Sequence, residues 1–369
     1  MRKCLKSRQL LSTLGALGVL LLWAPGALAD PRCARVLAHY ERVHPRATWE
    51  YDWTTAIFLY GAVTYTQRFA QAGWEATALE RLFGELRARA PAVTMPDLAS
   101  MSLPATLVHT PAALELRRLS EEFFRTEPRN ALGAIDHVGA RHRFAWFLPP
   151  THWFSASALW ADSMIMTVLN GFRLAQLRGD EDGMAFFLGQ VELFHRHLRD
   201  ERSGLYKHAY YLSDGARVPR TGFWARGNLW IDLGLIELLA ALPPGHAARA
   251  RLTALLLEHL RALQRVPTTQ GLHTLLDDEE SYVETSATAL LAYVLKKAQR
   301  LNLIDESFTA WQHALTAVVL SRVEGDSLTG VSGPTTAFPY AFYYKHLVQP
   351  RADLSYGVGA FLLLCSELD

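Results

Sequence analysis

The chain has 369 residues, half of them hydrophobic, with 37 Lys and Arg against 36 Asp and Glu. A formal charge of +1 leaves no basic excess of the kind that holds a nucleic acid or an anionic membrane surface. The length suits one large domain or two smaller ones.

The first segment reads as an export leader. Arg2, Lys3, Lys6 and Arg8 precede an apolar stretch from Leu10 to Trp23, and Ala27–Ala29 supplies small residues for cleavage after Ala29. The stretch is short and broken by glycine, which fits a cleaved signal peptide (1–29) better than a spanning helix. Losing these four basic residues takes the formal charge to −3. The expected destination is the periplasm or the medium. Cys4 leaves with the leader, so the mature chain keeps only Cys33 and Cys365.

From residue 31 onward, two kinds of helix alternate strictly, six of each. One kind is amphipathic: 31–44, 74–90, 111–125, 182–199, 247–264 and 304–323. In 182–199, for example, Phe187, Val191, Phe194 and Leu198 share one face. The other kind is apolar nearly all round and must be buried on every side: 52–70, 98–108, 157–177, 228–242, 285–298 and 355–367. No convincing run of alternating strands is present. Six outer helices, each followed by a buried inner one, describe an all-α (α/α)6 toroid occupying 30–369 as a single domain. The alternative, an open solenoid, calls for a fixed repeat and polar caps, and the sequence has neither.

Links from inner to outer helices are short, such as "RGDED" at 178–182. Most links from outer to inner helices are long: 126–156, 200–223, 265–284 and 324–354. Long loops on one face of a rigid scaffold are where sites are built, so the face at the N-termini of the inner helices is the expected working face. Trp49, Tyr51, Asp52, Trp53, Asp97, Trp160, Asp162, His208, Trp224, Arg226, Trp230, Tyr282, Glu284 and Tyr356 fall there. Aromatic rings and carboxylates together suit a sugar, with ring faces for stacking and polar groups for hydroxyls.

Each residue also has a plainer reading. Asp97 and Asp162 would suit the first turn of a helix. His208 would suit a hydrogen-bonded loop, and Trp224 and Trp230 the core. Arg226, between tryptophans, needs an anion, which either a carboxylate of the protein or an acidic ligand would supply. No H-E-x-x-H, C-x-x-C or phosphate-binding glycine motif occurs.

"FWARGNLW" (223–230), followed by an apolar helix, resembles the W-A-R-x-N-x-W signature of glycoside hydrolase families 88 and 105, the unsaturated glucuronyl and unsaturated rhamnogalacturonyl hydrolases. "LWADSMIM", "DERSGLYKHAYY", "SYVETSATALLAYVLKKA" and "GVGAFLLLCSEL" follow the same order. The resemblance runs from about residue 95 to the C-terminus and is specific from 157 onward. It implies an (α/α)6 barrel that removes a 4,5-unsaturated uronic acid from lyase-generated oligosaccharides, with no metal or organic cofactor. An aspartic acid protonates C4, water adds at C5, and the hemiketal opens.

By position, Asp162 matches the catalytic acid/base and Asp97 the second essential aspartate. Trp160, His208, Trp224, Arg226 and Trp230 match residues lining the unsaturated-sugar subsite. Arg226 is then expected to meet the C6 carboxylate. Asp162 is expected to start protonated, its pKa raised by the surrounding tryptophans and by an ionised Asp97.

The sequence departs from the family at Leu229, where glycine is usual, and at 133–154. This lead-in is longer than usual and contributes Asp136, His137, His142 and His152. Two other readings stay open: a different (α/α)6 hydrolase with paired carboxylates, and a binding toroid that has lost turnover.

Closing the ring would bring the start of the first outer helix to the end of the last inner one. Cys33 and Cys365 would then either pair as a disulfide or remain buried thiols.

Overall fold

A computed structural model describes residues 30–139 and 157–368. The leader, His142 and His152 lie outside them. Helices dominate. The outer ones are Pro31–Val43, Ala76–Ala88, Pro111–Thr126, Glu181–Leu198, Ala248–Leu263 and Thr309–Ser321. Each buries one stripe; in Glu181–Leu198 that stripe is Phe187, Val191, Phe194 and Leu198, with Gln190 beside them.

The inner helices are Trp53–Phe69, Ala225–Ala241, Thr285–Arg300 and Ser355–Cys365, joined by two irregular members. In Ala225–Ala241 every residue from 225 to 239 is buried, because the segment has no polar face to expose. The second inner member is two single turns, Pro96–Ala99 and Ser102–Ala105, rather than one helix over 98–108. The prolines at 96 and 104 lack the N–H that a continuous helix needs. The third begins as the strand Ala158–Trp160, passes through the π-helical turn Met164–Leu169 and continues as Asn170–Arg178.

Successive inner members pack side by side, and the last packs on the first. That closure is the arrangement of an (α/α)6 toroid. Gly61 and Gly359 meet backbone to backbone at the seam and leave no room there for a Cβ. Cys33 and Cys365 are disulfide-bonded, with 5.9 Å between their Cα atoms across 332 residues of sequence.

At the C-terminal ends of the inner helices, Glu237 bonds Tyr60, Tyr293 and Lys297 and pairs with Arg173. Burial pushes this carboxyl up, but Lys297 and Arg173 outweigh it and hold it down at about 2.

The long loops gather at the opposite face. They form three small sheets that the sequence does not announce. Ala158–Trp160 pairs antiparallel with Ala209–Tyr211, with Trp160 opposite Ala209, and Val331–Ser332 pairs with Pro350–Arg351. The first pairing sets Asp162 beside His208: the Ala161 amide donates to the His208 carbonyl at 2.8 Å. Among the described residues no helix is long and apolar enough to cross a membrane, and no cluster of His, Cys, Asp and Glu would hold a metal ion.

Candidate active site

A cleft of about 430 Å³ opens at this face. Asp97, His137, Trp160 and Asp162 line it, with Trp53, Met95 and Met166, and Pro334, Thr335, Thr336 and Phe338 complete the wall. A larger groove of about 740 Å³ elsewhere is lined by Arg118, Arg125 and Arg178, each paired with a carboxylate, and by Arg129, which donates to backbone carbonyls. The chemistry therefore belongs to the smaller cleft.

Neither aspartate caps a helix. Asp97 follows Pro96 in a four-residue turn whose N-cap, Met95, makes no side-chain bond. Its Oδ1 lies 3.4 Å from His137 Nε2 and has no hydrogen-bond partner. Asp162 Oδ2 lies 2.9 Å from His208 Nε2, and His208 Nδ1 lies 2.7 Å from the Tyr344 hydroxyl. His137 stacks on Trp160 at 4.4 Å, and its Nδ1 meets the Ser163 hydroxyl at 2.9 Å.

The two carboxyls are pushed apart in acidity. Burial, the charge of Asp162 and the charge of Asp52 push Asp97 up to about 8. Burial also pushes Asp162 up. There the charge and hydrogen bond of His208, with the residue's own amide, prevail and hold it below the ordinary aspartate range. This reverses the expectation that Asp162 starts protonated beside an ionised Asp97. Burial does desolvate Asp162, but His208 supplies a countering donor that Asp97 lacks. Burial lowers His137 to about 4, so it is a neutral ring at neutral pH.

Arg226 also departs from expectation. It is fully buried, clamped between the rings of Trp224 and Tyr356 at 4.8 Å from each. It donates to Ser332 O at 3.0 Å, Gly333 O at 2.8 Å and Thr335 Oγ1 at 3.1 Å, and Glu284 stands 3.7 Å away. Its anion is thus a carboxylate of the protein, and the arginine fixes the turn that carries Thr335 and Thr336. Glu284 grips the same turn by accepting from the Ser332 amide at 2.9 Å while it caps Thr285–Arg300.

Trp224 and Trp230 are each 1% exposed and stand outside the cleft lining. Trp224 lies against His208, with ring centroids 4.1 Å apart. The rings that meet the cleft are Trp53, Trp160 and Phe338. His208 and Trp224 thus support the site from behind, whereas Asp97, Asp162 and Trp160 face it.

Residues 29–369 match the model of Glycosyl Hydrolase Family 88. The chain belongs to this family.

Among curated relatives, it is 30% identical over 215 residues to the unsaturated rhamnogalacturonyl hydrolase YesR of Bacillus subtilis, covering 57% of this chain and 59% of YesR. The match thus spans less than two thirds of that relative. Solved structures share the fold at lower identity. One is a possible family 105 member from Salmonella enterica, at 22% identity and a TM-score of 0.79, covering 95% of this chain and 97% of that one. Another is the unsaturated glucuronyl hydrolase of Bacillus sp. GL1, at 16% identity and a TM-score of 0.64, covering 90% and 94%.

In this family 88 chain, sequence reasoning left two site features unassigned. His137 lies in the 133–154 lead-in, where sequence alone gives it no face, and its place follows from the Trp160 stack. Tyr344 was submerged in "PYAFYYKH", where one tyrosine looks like another. Burial distinguishes it, because it is the only fully buried ring of that run.

Proposed function

We propose that the chain is a hydrolase that removes a 4,5-unsaturated uronic acid from the non-reducing end of short, lyase-generated acidic oligosaccharides. The observation that carries the reading is the pair Asp97 and Asp162 in one aromatic cleft, with acidities displaced in opposite directions. Hydration of the double bond needs one proton delivered to C4 and one taken from the water that attacks C5. The resulting hemiketal then opens and releases the sugar behind it. A site that holds a single acidic proton at neutral pH meets that need.

In the free site the proton rests on Asp97, and Asp162, oriented by His208, is the base for the water. An entering uronate adds negative charge and raises both carboxyls, so the pair keeps its proton at working pH. Thr335 and Thr336 at the wall bring hydroxyls for the sugar's polar groups. Trp53, Trp160 and Phe338 supply ring faces. The reaction as written uses no cofactor. Export is supported by the leader-like 1–29 and by the disulfide, which belongs to an oxidising compartment.

The test is a panel of lyase-generated disaccharides, scored by loss of the ultraviolet absorbance of the conjugated ene-acid. Rhamnogalacturonan products come first because of the likeness to YesR. Loss on at least one acidic disaccharide supports the reading, and an unchanged absorbance throughout the panel rejects it.

A further inference from the structure

Beside the cleft, the segment after Phe338 carries four aromatic side chains between 340 and 344, two of them exposed. Tyr340 is 45% exposed and Phe342 60%. Rings exposed to this degree are seldom grouped without a partner to cover them.

These rings are contiguous with the cleft. Phe338, in its wall, stacks on Tyr343 at 5.2 Å and 23°. Tyr340 lies 6.4 Å from Tyr343, and Phe342 lies 5.8 Å from it. At the far end the Arg220 guanidinium stands 5.8 Å from the Tyr340 ring. The Arg220 amide donates to the Pro339 carbonyl at 2.8 Å, which ties the two loops together. The exposed side chain of Arg220 has no carboxylate within ion-pair distance among the described residues. The platform is preorganised: Tyr344 anchors it from below in the core, and Lys345 fastens it to Asp278 at 2.9 Å.

We propose that Tyr340, Tyr343 and Arg220 form a second binding platform for the same substrate, taking the sugars beyond the one that is removed. Ring faces offer stacking for the apolar faces of successive sugars. Arg220 offers a planar fork for a carboxylate on one of them. The occupant is therefore an acidic oligosaccharide of three or more sugars, running from Asp97 and Asp162 past Phe338 toward Arg220. This rests on the proposed function for the direction of the chain, although the platform itself is independent of turnover. A second copy of this chain would also cover exposed rings, but it would not account for an exposed arginine at the end of a track that begins in the cleft.

The experiment uses Tyr340→Ala and Arg220→Gln, both at exposed positions, with unsaturated di- and tetrasaccharides made from rhamnogalacturonan by one lyase. The disaccharide kcat/KM should stay within about twofold of wild type, and the tetrasaccharide kcat/KM should fall by about five- to twentyfold through KM. The Arg220→Gln loss should shrink at high salt. Equal effects on both substrates, no effect on either, or loss of a dimer on substitution would overturn the platform.

Titration of the full chain with a saturated rhamnogalacturonan tetrasaccharide separates the two readings. Binding that both variants weaken supports the platform even if no unsaturated substrate is turned over, in which case the proposed function alone fails. Binding indifferent to both variants overturns the platform.

Discussion

The Asp162 carboxylate is held at 2.9 Å by a histidine, His208, whose other nitrogen lies 2.7 Å from a fully buried tyrosine hydroxyl. That hydroxyl also donates to the Phe338 carbonyl, at 3.4 Å. The shorter contact fixes the imidazole so that Nε2 faces Asp162. Tyr344 thus positions the histidine that keeps Asp162 ionised. Tyr344→Phe should shift the acid limb of kcat/KM toward higher pH and lower kcat several-fold, at a stability cost of about 1 kcal/mol. A lower kcat with an unmoved acid limb would reduce Tyr344 to packing.

The alkaline limb should belong to Asp97. Its folded value of about 8 lies above its ordinary value of 3.8. The protonated carboxyl therefore favours the fold, fully below pH 4, and that contribution is lost as pH rises toward 8. Asp97→Asn removes the titration. Melting temperatures of wild type and Asp97→Asn from pH 5 to 9 should diverge, with the variant gaining relative stability as pH rises. A constant difference would mean that Asp97 is ionised throughout.

Arg226→Lys should act first on stability. Lysine keeps the charge but loses the fork that reaches Ser332 O, Gly333 O and Thr335 Oγ1 together. Denaturant unfolding should show a loss of ~1–3 kcal/mol, with KM rising only through a loosened wall. A variant with wild-type stability and a tenfold higher KM would return Arg226 to the substrate.

The disulfide joins the first outer helix to the last inner one, at positions 332 residues apart. Replacing both Cys33 and Cys365 by serine should cost about 2–4 kcal/mol of stability by freeing the unfolded chain. Disaccharide turnover at moderate temperature should be unchanged, because neither residue meets the cleft. A variant as stable as wild type would show that helix packing alone closes the ring.

The helix order was legible because burial on all sides leaves a mark on every residue of a segment such as 225–239. The carboxylates were legible because they sit at the starts of inner members in recognisable surroundings. Partners distant in sequence were not. Arg226 announces its need for an anion, but the carbonyls it bonds lie 106 and 107 residues away in a loop without periodicity. His208 is 46 residues from Asp162, and it does most to hold that carboxyl down. The stagger of the second and third inner members also escaped the pattern, since hydrophobicity reports burial and not the breaks at Pro96, Pro104 and the turn at Met164.

The central claim is that Asp97 and Asp162 together hydrate the double bond of an unsaturated uronic acid. The most direct measurement follows the ene-acid absorbance of an unsaturated disaccharide with wild type, Asp162→Asn and Asp97→Asn, each first shown by calorimetry to bind it. Wild type should bleach the chromophore completely, and both variants should bind without bleaching, at rates at least a hundredfold lower. A wild type that releases the sugar with the chromophore intact, or an Asp162→Asn variant that keeps a tenth of wild-type kcat, would contradict the account.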